Sequence, residues 1–315
     1  MIEPRPSLRL DINFRRRWPR PLLPAVAMIA IVLAACSPGA ASPSGAADTL
    51  RVVATTTVFA DIVGAIGGDQ VTVDSIVPAG SGPEDYEPRP EDARKISEAE
   101  LIVSNGVGLD DFLTGIIDAA GSATAERLVL GDGIPTITLD GEENPHFWLA
   151  PSLVEQYYVP SIRDTLVRLI PSAKTDIETS ATAYAASIRA LDETNRTKLA
   201  VIPAERRKLV TFHDAFPYFA AHYDFELVGV ILENPGQEPS AADLAALVKT
   251  IKAAGVTAVF SEAQFDPKLA QTLADEAGIT KVVTTLYNDS LGPAPADTYI
   301  GLMTWDVDEI VKALR

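Results

Sequence analysis

Between Ala173 and Ile202 the chain runs about 30 residues without a Gly or Pro, and Pro203 ends the run. Its Ala, Glu, Arg, Lys and Leu content favours helix strongly. An unbroken helix of that length would span about 45 Å at 1.5 Å per residue, which is long for a globular protein. On either side the pattern is different. Leu50–Thr57 is a β-branched run, and Val58–Ile66 follows with helical apolar spacing before Gly67-Gly68 closes it. Val71–Val77 and Leu101–Ser104 read as strands and Arg127–Leu130 and Pro135–Leu139 as short extended pieces, while Pro90–Ala99, Asp110–Ala120 and Pro151–Leu169 read as helices. After the long run, strands are expected at Lys208–Phe212, Glu226–Leu232, Thr257–Ser261 and Val282–Leu286. Helices are expected at Ala215–His222, Ser240–Ala254 (with Ser240 as N-cap), Pro267–Ala277 and Tyr299–Leu314.

This alternation predicts an α/β protein with two similar lobes, each a parallel sheet flanked by helices, joined by one long rigid helix. The expected boundaries are 49–171 for the N-terminal lobe, 172–203 for the connecting helix and 204–315 for the C-terminal lobe. A cleft between two such lobes, at the carboxyl ends of the strands, is where ligands of open α/β sheets bind.

The first 48 residues belong to neither lobe. Arg15, Arg16, Arg17 and Arg20 precede an apolar run at 21–35 that is too short and too Pro-broken to span a membrane comfortably. Residues 1–35 read as a signal peptide. It ends in Leu33-Ala-Ala-Cys36, which resembles a bacterial lipobox and makes Cys36 the expected lipidation site. Cys36 is the sole cysteine, so an intrachain disulfide and a Cys-based zinc site are both excluded. Ser37–Asp48 is small, polar and rich in Pro and Gly, so 36–48 reads as a flexible tether.

The formal net charge is −17, and loss of the six Arg and two acids of residues 1–35 takes the body to −21. Such a surface repels nucleic acid and anionic headgroups. For most of these charges, solubility is sufficient explanation.

There are three histidines, and two fall at ends of expected elements: His146 in Asn144-Pro-His-Phe-Trp-Leu149 and His213 just after the strand 208–212. Loops 78–90 and 286–292 also follow strands. If all four loops face the cleft, Glu84 or Asp85, His146, His213 and Asp289 could surround one ion. Two imidazoles with two carboxylates suit Mn²⁺, Fe²⁺ or Zn²⁺ and are too rich in nitrogen for Ca²⁺ or Mg²⁺. Taken singly, His146 could be a packed ring beside Phe147 and Trp148, and His213 could cap a helix. His222 reads as a surface residue, Glu142 and Glu143 as solvated loop charges, and Tyr86, Phe147, Trp148 and Phe212 as wall and packing.

The chain resembles the metal-binding lipoproteins of bacterial zinc and manganese ABC importers, the cluster A-I solute-binding proteins. The pieces that carry the resemblance run in order through the body: Ala54–Asp61, Gly67–Asp69, Tyr86–Pro88, Ser104–Asp110, Pro145–Leu149, Phe212–Phe219, Glu238–Ala241, Leu286–Gly292 and Thr298–Met303. The resemblance implies two lobes bridged by a rigid helix with one metal between them. It implies His146 as the His of a Pro-His-x-Trp-Leu motif, His213 as the third ligand and Asp289 as the Asp of a Tyr-x-Asp-x-x-Gly loop. The first ligand is normally the His of Asp-Pro-His-x-Tyr-Glu-Pro. Here the segment reads Gly82-Pro-Glu-Asp-Tyr-Glu-Pro88, which puts Glu84 in that place.

A carboxylate there shifts relative preference toward Mn²⁺ or Fe²⁺, whereas Zn²⁺ still stands above Mn²⁺ in intrinsic affinity. The long His- and acid-rich loop of many zinc-type members is replaced by the short Asp140–Asn144. Zn²⁺ and Mn²⁺ therefore stand level, with Fe²⁺ third. The implied protein is a monomer lipid-anchored through Cys36 at the outer face of the bacterial cytoplasmic membrane. It would deliver its ion to an ABC permease with a cytoplasmic ATPase. A metal-dependent hydrolase and a surface adhesin with a structural metal are the alternatives. Against an enzyme, the chain contains no His-Glu-x-x-His, Gly-x-Ser-x-Gly or Gly-x-x-x-x-Gly-Lys segment.

Overall fold

The structure, a computed structural model, describes residues 49–84, 86–120, 124–139, 141–232 and 239–315. The expected signal peptide, tether and Cys36 lie outside the described residues, as do Asp85 and Glu238. No described helix is long and apolar enough to cross a membrane.

The first half builds one parallel sheet. Strands β1 (Leu50–Ala54), β2 (Val71–Ser75), β3 (Leu101–Ser104) and β4 (Glu126–Val129) lie in the order β2-β1-β3-β4. Helices α1 (Thr57–Gly67), α2 (Pro90–Glu98) and α3 (Asp111–Ala119) make the crossovers. A two-residue antiparallel hairpin, β5 (Thr138–Leu139) with β6 (Glu142–Glu143), follows, then a 3₁₀ turn at Phe147–Leu149. Only the last two residues of the expected extended piece 135–139 find a partner strand.

The helix expected across 151–169 is interrupted. It forms as α4 (Pro151–Leu153), a π-turn (Val154–Tyr158) and α5 (Val159–Leu169). Pro160 has no N–H to give to the preceding turn, so the regular ladder cannot close there and a wider turn takes its place. The long helix α6 (Lys174–Leu199) has 26 residues, about 39 Å of rise. It stops one turn short of the expected end, with Arg196 and Lys198 in its last turn, where cations suit the carbonyl end of the helix.

The second half repeats the first. Strands β7 (Lys208–Thr211) and β8 (Glu226–Val230) pair in parallel, as do β9 (Ala258–Glu262) and β10 (Lys281–Leu286). The two pairs are separate two-stranded sheets with no ladder between them among the described residues, but β7 lies beside β9, so the spatial order is β8-β7-β9-β10, which matches β2-β1-β3-β4. The helices are α7 (Pro217–Tyr223), α8 (Ala241–Ala254), α9 (Lys268–Ala277) and α10 (Tyr299–Leu314). Ser240 caps α8 as expected, in a reciprocal box with Asp243. Helix α7 starts two residues late, at Pro217, whose fixed φ suits a first helical position.

Helix α6 buries Ile177, Ala181, Tyr184, Ile188, Leu191, Asn195 and Leu199, one stripe at spacings of three and four. The stripe packs on α1, α5 and α10. The result is an apolar cluster shared by both halves, which includes Val52 and Ile62 from the first, Ile188 from α6, and Phe216 and Leu302 from the second; each half also keeps a smaller cluster of its own. Polar ties reinforce it. The Leu291 amide donates to Thr57 Oγ1 at 2.8 Å, the Tyr299 amide to Asp61 Oδ2 at 2.8 Å, and the Tyr299 hydroxyl to the Trp148 carbonyl at 2.8 Å.

Ile188 is fully buried in this core. Ile188→Ala should cost about 2–5 kcal/mol. Denaturant unfolding should show both halves losing that stability in one shifted transition; a shift confined to one of two separate transitions would contradict a shared core.

Candidate metal centre

Four loops converge at the carboxyl edges of the strands. Glu84 comes from the β2–α2 loop and His146 from the segment between β6 and the 3₁₀ turn. His213 follows β7, and Asp289 follows β10. One ligand-type atom from each of these four residues lies within 4.8 Å of all the others. His146 Nε2 is 3.4 Å from Asp289 Oδ1, His213 Nε2 is 3.5 Å from Asp289 Oδ2, and His213 Nε2 is 3.8 Å from Glu84 Oε1. The two imidazole centroids are 5.3 Å apart. His146, His213 and Asp289 are buried; Glu84 exposes its backbone but turns its side chain inward, 18% exposed.

The orientation of His146 is set by Asn144. The Asn144 Nδ2 donates to the Asp214 carbonyl at 2.7 Å, so Oδ1 faces back toward His146. There it accepts the His146 backbone N–H at 3.1 Å and lies 3.0 Å from Nδ1. Nδ1 therefore carries the proton, and Nε2 presents a lone pair. That lone pair points at a carboxylate oxygen. Neither His146 Nε2 nor Asp289 Oδ1 has a hydrogen-bond partner among the described residues. Two buried acceptors face to face repel one another unless a proton or a cation lies between them.

His213 is oriented from behind. Its Nδ1 is 3.3 Å from Glu262 Oε1, on a carboxylate only 1% exposed at the end of β9. The charge of such a carboxylate favours a proton on Nδ1 and so makes the opposite nitrogen the one free to bind an ion. The loop around Asp289 is held by Asn288 and Gln264. Asn288 Oδ1 accepts the Asp289 amide at 2.7 Å and the Gln264 Nε2 at 2.8 Å, and the Asn288 carbonyl accepts Trp148 Nε1 at 2.8 Å.

The electrostatics follow from burial. Burial, together with the neighbouring Asp289, pushes Glu84 up to about 7. Burial also raises Asp289 to about 6, against the opposing pull of His213 and Gln264. Burial and the nearby His213 charge hold His146 far down, at about 3. Burial alone would lower His213 too, but Glu262, Asp289 and Glu84 outweigh it and keep this ring protonated well above neutral pH. The His213 imidazolium thus supplies the positive charge that the surrounding carboxylates require.

A pocket of about 570 Å³ leads to the cluster, with Glu142, Glu143 and Asp214 on its polar side and Val107, Leu109 and Phe112 on its apolar side. Glu142 and Glu143 are exposed, as expected. Trp148 and Phe147 are fully buried. His222 differs from expectation: its side chain is 11% exposed, because Asp192 of α6 meets its Nε2 at 2.7 Å and Arg196 Nη2 approaches the same nitrogen at 2.8 Å. Residues Asn144, Glu262, Gln264 and Asn288 were not singled out from the sequence. Glu262 had a visible signal, an acid closing the apolar run Ala258–Ser261, but the strand was expected to stop one residue before it.

The profile of the family described as zinc-uptake complex component A, periplasmic (ZnuA), matches residues 52–313. The iron ABC transporter substrate-binding lipoprotein MtsA of Streptococcus pyogenes serotype M1 is 30% identical, over 90% of this chain and 94% of the relative. The manganese-binding lipoprotein MntA of Halalkalibacterium halodurans is 29% identical, over 92% of this chain and 96% of the relative. The solved structure of the periplasmic zinc-binding protein TroA from Treponema pallidum superposes with a TM-score of 0.78 at 29% identity. That match covers 84% of this chain and 99% of that one.

Any divalent cation entering the cluster must displace the protons held there. Affinity should rise with pH, because His213, Glu84 and Asp289 all hold protons more tightly than free side chains and give them up as an ion binds, so the number of protons released per ion should grow as pH falls through 7 and 6. Calorimetric titration in buffers of different ionisation enthalpy reads this number; binding without proton release would contradict it.

Proposed function

The chain belongs to the family of periplasmic zinc-uptake complex component A proteins, and from that membership we propose that it captures a divalent transition metal outside the cell and hands it to an ABC permease driven by a cytoplasmic ATPase. Glu84, His146, His213 and Asp289 are the proposed ligands. The observation that carries this reading is their convergence within 4.8 Å from four separate loops, two from each half. Zn²⁺ and Mn²⁺ are the proposed cargoes, with Fe²⁺ third. The relatives' names, which mention iron, manganese and zinc, support a shared site chemistry tuned between neighbouring ions.

In this reading residues 49–171 and 204–315 act as lobes hinged on 172–203. The repeated strand order supports that division. The common core through α6 limits how far the lobes can part, so capture and release work through movements of the cleft loops rather than wide closure. The ion exchanges its water for two imidazole nitrogens and carboxylate oxygens, and the His213 proton leaves as it binds. Holding both halves, the bound ion stabilises the folded protein by mass action, about 2.7 kcal/mol at a hundred times Kd.

Cys36 is the proposed lipid anchor, placing a monomeric body at the outer face of the cytoplasmic membrane. An enzyme is disfavoured because a catalytic zinc needs an open position for water and substrate, and here four protein donors already surround the candidate position. The adhesin reading has no such observation on its side.

His146→Ala and His213→Ala should each abolish tight binding of Zn²⁺ and Mn²⁺ and remove the rise in melting temperature that either ion gives the parent protein. Tight binding retained in both variants would remove this site. Cys36→Ser should move the protein from the membrane fraction to the soluble one.

A further inference from the structure

Asp289 presents its two carboxylate oxygens to different surroundings. Oδ1 has no hydrogen-bond partner among the described residues and faces His146 Nε2. Oδ2 accepts a hydrogen bond from Gln264 Nε2 at 3.0 Å. The orientation of the Gln264 amide is unambiguous, because the same nitrogen also meets Asn288 Oδ1 at 2.8 Å, and that oxygen is fixed by the Asp289 backbone N–H. Gln264 also reaches the other half. A Cβ built on Gly82 would come 3.8 Å from Gln264 Nε2 and 2.9 Å from Glu84 Oε2, so the amide sits beside the loop that carries Glu84.

We infer that Gln264 is a positioning residue that sets metal selectivity by holding Asp289 to one-oxygen ligation. The inference rests on the metal-capture reading above. Oδ2 also lies 3.5 Å from His213 Nε2, so it faces the same position, but the amide takes one of its lone pairs and makes it the poorer donor of the two. Ligation through Oδ1 alone, with one atom each from Glu84, His146 and His213, gives the four-coordinate set that suits Zn²⁺. Releasing Oδ2 would add a fifth donor, and an oxygen. Mn²⁺, which favours oxygen-rich sites of higher coordination, gains more from it than Zn²⁺ does. The amide N–H thus acts against the ion that takes more ligands, a selection made by withholding a donor rather than by adding one.

The test compares the parent protein with Gln264→Leu and Gln264→Met, two apolar replacements of similar size that keep the loop filled and remove the N–H. Competition titrations should show the Zn²⁺-to-Mn²⁺ affinity ratio falling by about tenfold, within the range such outer contacts command. X-ray absorption on the Mn²⁺-loaded variants should show one more oxygen neighbour than on the parent. An unchanged ratio, equal losses for both ions, or an unchanged oxygen count would each overturn the role given to Gln264. Parent protein that held neither ion would instead bring down the capture reading, a different and separately visible failure.

Discussion

The buried stripe of α6 joins two sheets that would otherwise be separate, and the site exists only because it does. Ile188 and its neighbours on α6 share one core with Val52 and Ile62 on one side and Phe216 and Leu302 on the other. Each sheet delivers loops to its carboxyl edge, as parallel α/β sheets do. A shared core then decides that the two edges face each other at a distance an ion can bridge. The Tyr299 hydroxyl on the Trp148 carbonyl and the Trp148 indole on the Asn288 carbonyl carry that register from the core to the ligand loops.

What the core brings together is electrostatically expensive. Glu84, Glu262 and Asp289 lie around His213 with little water, and stranding such charges costs several kcal/mol each unless they are paired. The protein responds by protonation: His213 stays an imidazolium, and Glu84 and Asp289 hold protons more tightly than free carboxylates. A divalent cation can do the same work without protons. In the proposed reading, the electrostatic strain that burial imposes on the folded chain drives uptake of the ion, and proton and metal are alternative occupants of one charge balance.

Much of this was legible in the sequence because it lies in periodicity and in rare residues. The βα alternation, the long helix and its Pro203 stop were visible as apolar spacing and as the absence of Gly and Pro. His146, His213 and Asp289 stood out as scarce or loop-borne donors after strands, and Glu84 through the motif it departs from. The residues that orient them were not legible. Asn144, Gln264 and Asn288 are ordinary amides whose role depends on which atom faces which neighbour across 24 to 70 residues of chain. Pro160 sat in plain view, yet its consequence, the π-turn at 154–158, depends on how the preceding turn adapts. His222 looked like surface because nothing in its own helix announces Asp192 and Arg196 on another.

The central claim is that one cation bridges two sheets through side chains distant in sequence. Anomalous diffraction from crystals loaded with Zn²⁺ or Mn²⁺ tests it directly. The account predicts a single strong peak at about 2.0–2.3 Å from Nε2 of both His146 and His213, with oxygens of Glu84 and Asp289 completing its ligands. A peak bound by one half alone, or one that leaves either imidazole beyond bonding distance, would contradict it.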